Sequence, residues 1–272
     1  MDASEPSRRS LLRLGAGLSL ALLGARASAD PLPYPGGARG AVSLTYDDGL
    51  TSQLDNAVPQ LDARGLKATF FLTADNMQGQ WDRWRAVAAA GHEMANHTIS
   101  HPCDLKAYDE ASFTARELKP MEDRLDQAFG PRAFRAYAYP CDDTELGKGS
   151  RAQREYRYGQ LVSHTFDAVR TTDGPPNQPK NIMAERFYLH GFEPTEHVDS
   201  PDLARRYLDL AEHGGGWAIL IFHEVKPHWR STGDASAGVH AAILDDILRR
   251  PLWCAPMGEV FRQLTAPSGV RP

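Results

Sequence analysis

The chain has 272 residues, of which 42% are hydrophobic, 24% charged and 9% aromatic, and its formal net charge is −5. This balance is typical of a folded globular protein and excludes a disordered chain, a collagen and a coiled coil. The 35 acidic residues outnumber the 30 basic ones, which gives the chain no electrostatic reason to bind a polyanion, so we expect no nucleic-acid partner.

The start of the chain has the pattern of an export signal. Arg8 and Arg9 precede an apolar run over residues 14–25, and an Ala-Ser-Ala triplet at 27–29 resembles a cleavage site. The paired arginines predict a signal peptide over residues 1–29 that uses the twin-arginine export machinery, and hence a periplasmic or secreted bacterial protein. The apolar run is shorter than the roughly 20 residues that cross a bilayer, so we expect no stable membrane anchor.

Residues 30–272 alternate between short apolar runs and longer amphipathic ones, the pattern of βα units around a parallel sheet or barrel. The predicted strands cover residues 41–45, 68–72, 92–96, 135–139, 162–169, 186–189 and 217–222. The best-signalled helices cover residues 111–128, 201–214, 236–249 and 258–264. Because no repeat or flexible linker interrupts this alternation, we predict a single α/β domain.

Two adjacent carboxylates follow the first predicted strand, at Asp47 and Asp48. In α/β folds, active sites lie at the carboxyl ends of strands. Adjacent side chains diverge there, so one aspartate could bind a metal while the other faces the substrate as a base. The alternative interpretation is an ordinary Asp-Gly turn after a strand.

Histidines follow two other predicted strands. His97 and His101 come after the third strand and could converge on one ion, because imidazole suits zinc and similar divalent cations. His223 follows the fully apolar run 217–222 and would emerge at the same face, where a histidine can act as a general acid. A histidine hydrogen-bonded to the backbone is the alternative for His223.

The three motifs together resemble those of the polysaccharide deacetylases, the NodB-homology group or carbohydrate esterase family four. The family's T-[FY]-D-D-G motif supplies a base and a metal ligand, its H-[ST]-x-x-H motif supplies two more ligands, and its Leu-x-x-His motif supplies the acid. The matching residues here are Asp47 as base, Asp48, His97 and His101 as ligands, and His223 as acid. The resemblance extends over residues 41–264 and implies a distorted (β/α) barrel with about seven strands.

The third motif of the family departs from its usual form. The family has Arg-x-Pro-Tyr-Gly, and its arginine pairs with the base, whereas this chain has Ala138 at the position of that arginine. Arg170, at the end of the following strand, is our candidate for the missing cation, and Arg135 is a less favoured substitute. An Arg170→Ala variant with unchanged rate and pH profile would contradict this assignment.

The fourth motif, an Asp-x-x-Asp-Trp element that orients the catalytic histidine, is not recognisable. Asp167 and Asp173 are the candidates for its role. Cys103 and Cys141 each follow one of the motifs, so convergence of the motifs could bring them close enough for a disulfide.

The resemblance implies a metal-dependent hydrolase that removes acetyl groups from N-acetylated amino sugars of a chitin-like saccharide, peptidoglycan or an exopolysaccharide. The expected metal is Zn²⁺, with Co²⁺ or Ni²⁺ as alternatives. Asp47 would deprotonate a metal-bound water, and His223 would protonate the leaving amine. A backbone N–H near Tyr139 would stabilise the oxyanion, and the substrate-binding candidates are Tyr139, Pro140 and Trp229.

Three other functions are open on the same residues. The site could cleave O-acetyl esters, as in xylan deacetylation, or it could hydrolyse a non-sugar amide or cyclic imide. The third alternative is a carbohydrate-binding protein without turnover, which the presence of all the matched residues disfavours.

Overall fold

The structure, a computed structural model, describes residues 32–266. The predicted signal peptide over residues 1–29 lies outside this range. The strands are β1 Gly40–Asp48, β2 Thr69–Leu72, β3 Glu93–Asn96, β4 Ala136–Ala138, β5 Ala168–Thr171, β6 Leu189–His190, β7 Trp217–Phe222, β8 Glu224–Lys226, β9 Asp234–Ser236 and β10 Leu252–Cys254. The helices are α1 Val58–Asp62, α2 Trp81–Ala89, α3 Glu110–Phe113, α4 Lys119–Phe129, α5 Arg151–Ser163, α6 Ile182–Glu185, α7 Asp202–Gly214, α8 Ala237–Leu248 and α9 Met257–Thr265.

The main sheet is parallel and almost closes into a ring. Strands β1 to β6 pair in chain order, and β7 pairs with the other side of β1. Phe192, just past β6, bridges to Leu220 of β7, and its N–H donates to the Ile219 carbonyl oxygen at 2.9 Å. β10 pairs with the first residues of β1, where β2 does not reach. The predicted distorted (β/α) barrel is therefore confirmed.

The two faces of β1 show how the barrel positions polar residues. Side chains alternate along a strand, so Val42, Leu44 and Tyr46 share one face, on which they pack with buried residues of α7 and α8. Ala41 and Asp47 have the opposite parity, and Ala41 belongs to a second cluster with residues of β2, β3, β7 and α9. The alternation thus directs Asp47 to the barrel interior at the carboxyl end of β1.

One predicted strand is wrong, and three short strands, β8, β9 and β10, were not predicted. The stretch 162–169 contains the end of α5 and the start of β5. A capping box between Ser150 and Gln153 begins α5, and Val162 packs from this helix into a buried cluster, so its apolar character reflects helix packing. β10 is a three-residue strand, too short for its sequence to show a period.

Within residues 32–266, no helix is long and apolar enough to span a bilayer.

Candidate active site

The site lies at the carboxyl ends of the parallel strands, as expected for this class of fold. β1 contributes the two aspartates, and the residues that follow β3 and β7 are His97 and His223. The buried Gln53 side chain donates hydrogen bonds to the carbonyl oxygens of Asp47 and His223, the latter at 3.0 Å. Gln53 therefore ties the end of β1 to the end of β7.

Asp48, His97 and His101 form a group that could hold a metal ion. The Nε2 atoms of His97 and His101 lie 3.7 Å and 3.5 Å from Oδ1 of Asp48. One ligand atom from each residue lies within 4.8 Å of the others. Two imidazoles and one carboxylate, with room for further ligands, are a donor set that zinc takes in catalytic sites.

The environment of His97 suits a metal ligand. Its Nδ1 lies 2.9 Å from the carbonyl oxygen of Ala138, and a carbonyl oxygen only accepts, so Nδ1 carries the proton. Burial lowers the pKa of His97 to about 4 despite the charges of Asp47 and Asp48. His97 is therefore neutral, with the lone pair of Nε2 directed to the Asp48 side. These residues fit a divalent cation, and a backbone carbonyl behind a ligand histidine is a usual orienting partner.

Three residues of the site have backbone conformations that favour glycine. The φ angles are 78° at Asp48, 71° at Thr98 and 53° at His101. Hydrogen bonds hold two of them: the Thr98 N–H donates to Oδ1 of Asn96 at 2.7 Å, and the His101 N–H donates to Oγ1 of Thr98 at 3.0 Å. Sparsely populated backbone conformations persist where surrounding contacts fix them, and these hydrogen bonds do so here.

Asp47 forms a buried ion pair with Arg170. Nη2 of Arg170 contacts Oδ2 of Asp47, and the two residues are 2% and 4% exposed. Burial by itself raises the pKa of Asp47, but the charge of Arg170, with those of His97 and His223, outweighs burial and holds the pKa below its usual range. Asp47 Oδ1 has no hydrogen-bond partner among residues 32–266. Asp47 is thus an ionised carboxylate, the state that a general base requires.

Arg135, the less favoured substitute for this cation, lies elsewhere. It pairs with Glu122 and with Asp126, the latter at 2.6 Å. The cation beside Asp47 therefore comes from β5.

His223 pairs with a carboxylate that the sequence analysis missed. Its Nδ1 lies 2.9 Å from Oε1 of Glu193, and its Nε2 lies 3.9 Å from Oδ2 of Asp47. Burial lowers the pKa of His223, but the hydrogen bond to Glu193 and the charge of Asp47 prevail and raise it to about 9. His223 is therefore protonated at neutral pH, as a general acid requires.

The prediction that Asp167 or Asp173 orients His223 is wrong. Asp167 accepts the N–H of Arg135 at 2.8 Å on the surface, and Asp173 lines the cleft without contacting His223. Glu193 follows β6, so the strand-end rule that singled out His223 could also have found it. The predicted sixth strand ended at residue 189, so Glu193 did not directly follow a predicted strand.

A cleft of about 230 Å³ opens over these groups. Its lining residues are Asp47, His97, His101, Tyr139, Cys141, Asp142, Arg170, Thr172, Asp173, Glu193, Glu196 and His223. Five acidic side chains in this lining, together with His97 and His101, give the cleft a strongly polar surface.

Of the predicted substrate-binding residues, only Tyr139 lines this cleft. Its N–H donates to the Arg170 carbonyl oxygen at 3.2 Å, so this amide is not free to bind an oxyanion. Pro140 is buried. Trp229 is 40% exposed on the loop between β8 and β9, and that pair of strands runs along the Ser52 side, where the Val225 N–H donates to Ser52 Oγ. Trp229 is not among the lining residues, although Gly233, at the end of the same loop, donates its N–H to the carbonyl oxygen of the cleft residue Glu196 at 2.9 Å.

A disulfide joins Cys103 and Cys141, whose Cα atoms are 5.4 Å apart. It links the loop after His101 to the loop after β4. The two sulfur atoms lie 3.9 Å and 3.7 Å from Nδ1 of His101. The motifs therefore converge closely enough for the pairing that the sequence left open, while Cys254 is a free thiol.

Comparison with known sequences points to one family. Residues 36–147 match the sequence model of the family described as "Polysaccharide deacetylase". A chitin deacetylase of Colletotrichum lindemuthianum is 32% identical over 161 residues, which are 54% of this chain and 59% of that protein. A chitooligosaccharide deacetylase of Rhizobium leguminosarum bv. trifolii is 35% identical over 88 residues, 32% of this chain and 40% of that protein. The chain thus spans about three fifths or less of these two relatives.

Solved structures share the fold. A putative polysaccharide deacetylase from Mycobacterium smegmatis superposes with a TM-score of 0.60 at 17% identity, covering 90% of this chain and 98% of that one. The Xyl-CE4 domain of a xylanase from the hindgut metagenome of Trinervitermes trinervoides has a TM-score of 0.56 at 17% identity, covering 85% and 94%. With the motifs at the strand ends of this barrel, the match over residues 36–147 and the similarity to these relatives support a member of the polysaccharide deacetylase family.

Proposed function

We propose that the protein is a metal-dependent hydrolase that removes acetyl groups from N-acetylated amino sugars of a poly- or oligosaccharide. One observation carries this proposal: an ionised aspartate and a protonated histidine flank the Asp48, His97 and His101 group in a single cleft. Amide hydrolysis needs a base for the attacking water, an acid for the leaving amine and positive charge at the carbonyl oxygen.

The ligand group and Asp47 share the activation of water. A divalent cation, for which we propose Zn²⁺, supplies Lewis-acid chemistry when held by Asp48, His97 and His101, because it polarises the acyl carbonyl and makes water more acidic. Asp47, an ionised carboxylate in the wall of the cleft, accepts a proton from the attacking water. Arg170 contacts its Oδ2, which fixes the orientation of the carboxylate.

His223 serves the leaving group. Its protonated ring faces the cleft and donates a proton from Nε2 to the amine nitrogen as the C–N bond breaks. Glu193 holds Nδ1 and stabilises the imidazolium. Acetate and a free amino sugar are the products.

N-acetylated saccharides are the proposed substrates because relatives named as chitin, chitooligosaccharide and peptidoglycan N-acetylglucosamine deacetylases match the chain. The test measures acetate release from N-acetylchitooligosaccharides, peptidoglycan and acetylated xylan by protein that is metal-free or loaded with Zn²⁺ or Co²⁺. We expect metal-dependent release from the N-acetylated substrates. Release from xylan alone would make the protein an O-acetyl esterase, and binding without release would make it a carbohydrate-binding protein.

Export through the twin-arginine machinery, to the periplasm or outside the cell, is part of the same proposal and rests on Arg8 and Arg9. The double substitution Arg8→Lys and Arg9→Lys should retain the protein in the cytoplasm, which immunoblots of cell fractions would detect. Unchanged export of this variant would contradict the proposed route.

Replacing Glu193 by glutamine should shift the alkaline limb of the pH–rate profile to lower pH. The pKa of His223 is raised to about 9, so the acid is present below that pH and is lost above it. A hydrogen bond to a charged group contributes about 1.5–3 kcal/mol, so the limb should move by about one to two pH units. Profiles of both proteins with the same metal provide the test, and coincident alkaline limbs would contradict the pairing.

A further inference from the structure

Glu117 is a buried carboxylate outside the cleft, and it is 4% exposed. It belongs to the π-helical turn Thr114–Leu118 between α3 and α4. Among residues 32–266, no lysine, arginine or histidine lies within ion-pair distance of it. A buried carboxylate is destabilising unless its oxygens are hydrogen-bonded, so the partners of Glu117 indicate why it is there.

All of these partners except one belong to the segment between the two ligand histidines. Oε2 accepts the N–H groups of Ile99 and Ser100 at 3.2 Å and 3.0 Å. Oε1 accepts the hydroxyl of Ser100 at 2.9 Å and the hydroxyl of Tyr108 at 3.1 Å. One side chain thus satisfies both central backbone N–H groups of the segment.

The segment needs such a support because its conformation is strained. Thr98 and His101, on either side of the clamped residues, have φ angles of 71° and 53°. The local hydrogen bonds from Thr98 and His101 hold the ends of the segment, and Glu117 holds its centre from a different helix. A π-helical turn inserts an extra residue into the helix and so redirects a side chain, and such turns are common at functional sites.

We propose that Glu117 is a positioning residue of the metal site, which holds His97 and His101 at the spacing that one cation requires. This inference rests on the proposed function, because it assumes that these histidines bind a metal. Glu117 touches neither the cation nor the substrate, and it acts only through the backbone of residues 99 and 100.

The test compares the affinity for Zn²⁺, measured by competition with a chromophoric chelator, in wild type and Glu117 variants. Glu117→Ala leaves both backbone N–H groups without an acceptor, and we expect a Kd weaker by about 10–100-fold, as for other residues that orient ligands. Glu117→Gln keeps one oxygen for these N–H groups, and the two hydroxyls can turn to accept from its amide, so its Kd should stay within about threefold of wild type. The control is Asp123→Ala, an exposed carboxylate of α4 that pairs with Lys119.

A second variant covers the case in which Glu117→Ala does not fold. Glu117→Asp draws the carboxylate back by one methylene, so its Kd should also be weaker than that of Glu117→Gln. The visible spectrum of the Co²⁺-loaded variants reports ligand geometry independently of activity. Lower melting temperatures with Kd and Co²⁺ spectra equal to wild type would overturn the inference, because a structural role alone would give that result. Wild-type protein that binds no metal would instead overturn the proposed function.

Discussion

Replacing Asp47 by asparagine should lower the rate of acetate release by on the order of 10²–10⁴-fold, the usual contribution of a general base. Asparagine has the same shape, but its amide cannot take the proton of the attacking water. The affinity for Zn²⁺ should change little, because Asp48, His97 and His101 supply the ligand atoms. The measurements are kcat on an N-acetylchitooligosaccharide and Kd for Zn²⁺, with the rate scaled to the folded fraction.

The adjacent carboxylate provides the matched comparison. Asp48→Asn should weaken Zn²⁺ binding strongly, and its activity should recover when zinc is raised towards saturation, unlike that of Asp47→Asn. Asp55→Asn, at an exposed residue that pairs with Arg83, serves as the control for handling and folding. If the Asp47→Asn variant kept its rate within tenfold of wild type, Asp47 would not be the base.

Replacing Arg170 by methionine should destabilise the protein and move the acidic limb of its pH–rate profile to higher pH. Breaking a buried ion pair leaves an uncompensated charge and costs about 3–5 kcal/mol of unfolding free energy. Both residues of the pair are more than nine-tenths buried. Without the guanidinium, burial would raise the pKa of Asp47, so a larger part of the base would be protonated in mild acid.

The loss of stability in Arg170→Met should depend on pH in a definite direction. The pKa of Asp47 is lowered in the folded protein, so the pair stabilises the fold above a pH of roughly 4, and this contribution is lost as the pH falls through the folded pKa. The stability difference between wild type and Arg170→Met should therefore be largest near neutral pH and shrink in acid. Urea unfolding at several pH values measures it.

Two further variants provide the controls. Arg170→Lys keeps the charge but lacks the planar fork, so it should fall between wild type and Arg170→Met. Arg205→Met removes an exposed pair with Asp202 and should change the stability by less than about 1 kcal/mol. A pH-independent loss of stability in Arg170→Met would contradict the ion pair as its cause.

The positions of the motifs in the barrel were predictable because they depend on local patterns. Apolar runs such as 217–222 are long enough to indicate a buried strand, and a polar residue directly after such a run must emerge at the carboxyl edge. Arg170 could be proposed as the cation on the same ground, and in the structure its guanidinium contacts Asp47. Strand parity then explains why Asp47 faces the interior.

The remaining parts of the site depend on where β6 ends and on tertiary contacts outside the strands, and the predicted strand boundaries supplied neither. Glu193 reaches His223 because the chain bridges from β6 to β7 at Phe192, a pairing formed by isolated residues outside the strands. Trp229 was expected to cover the cleft because it follows His223 closely, and it is not among the residues that line the cleft.

The most direct test of this account is a titration of metal-free protein with zinc, during which acetate release from an N-acetylchitooligosaccharide is measured. We expect no release without metal, full activity at one equivalent of zinc, and no recovery at one equivalent in a His97→Ala variant. Undiminished release by the metal-free protein, or equal recovery in His97→Ala, would contradict the claim that Asp48, His97 and His101 hold the catalytic cation.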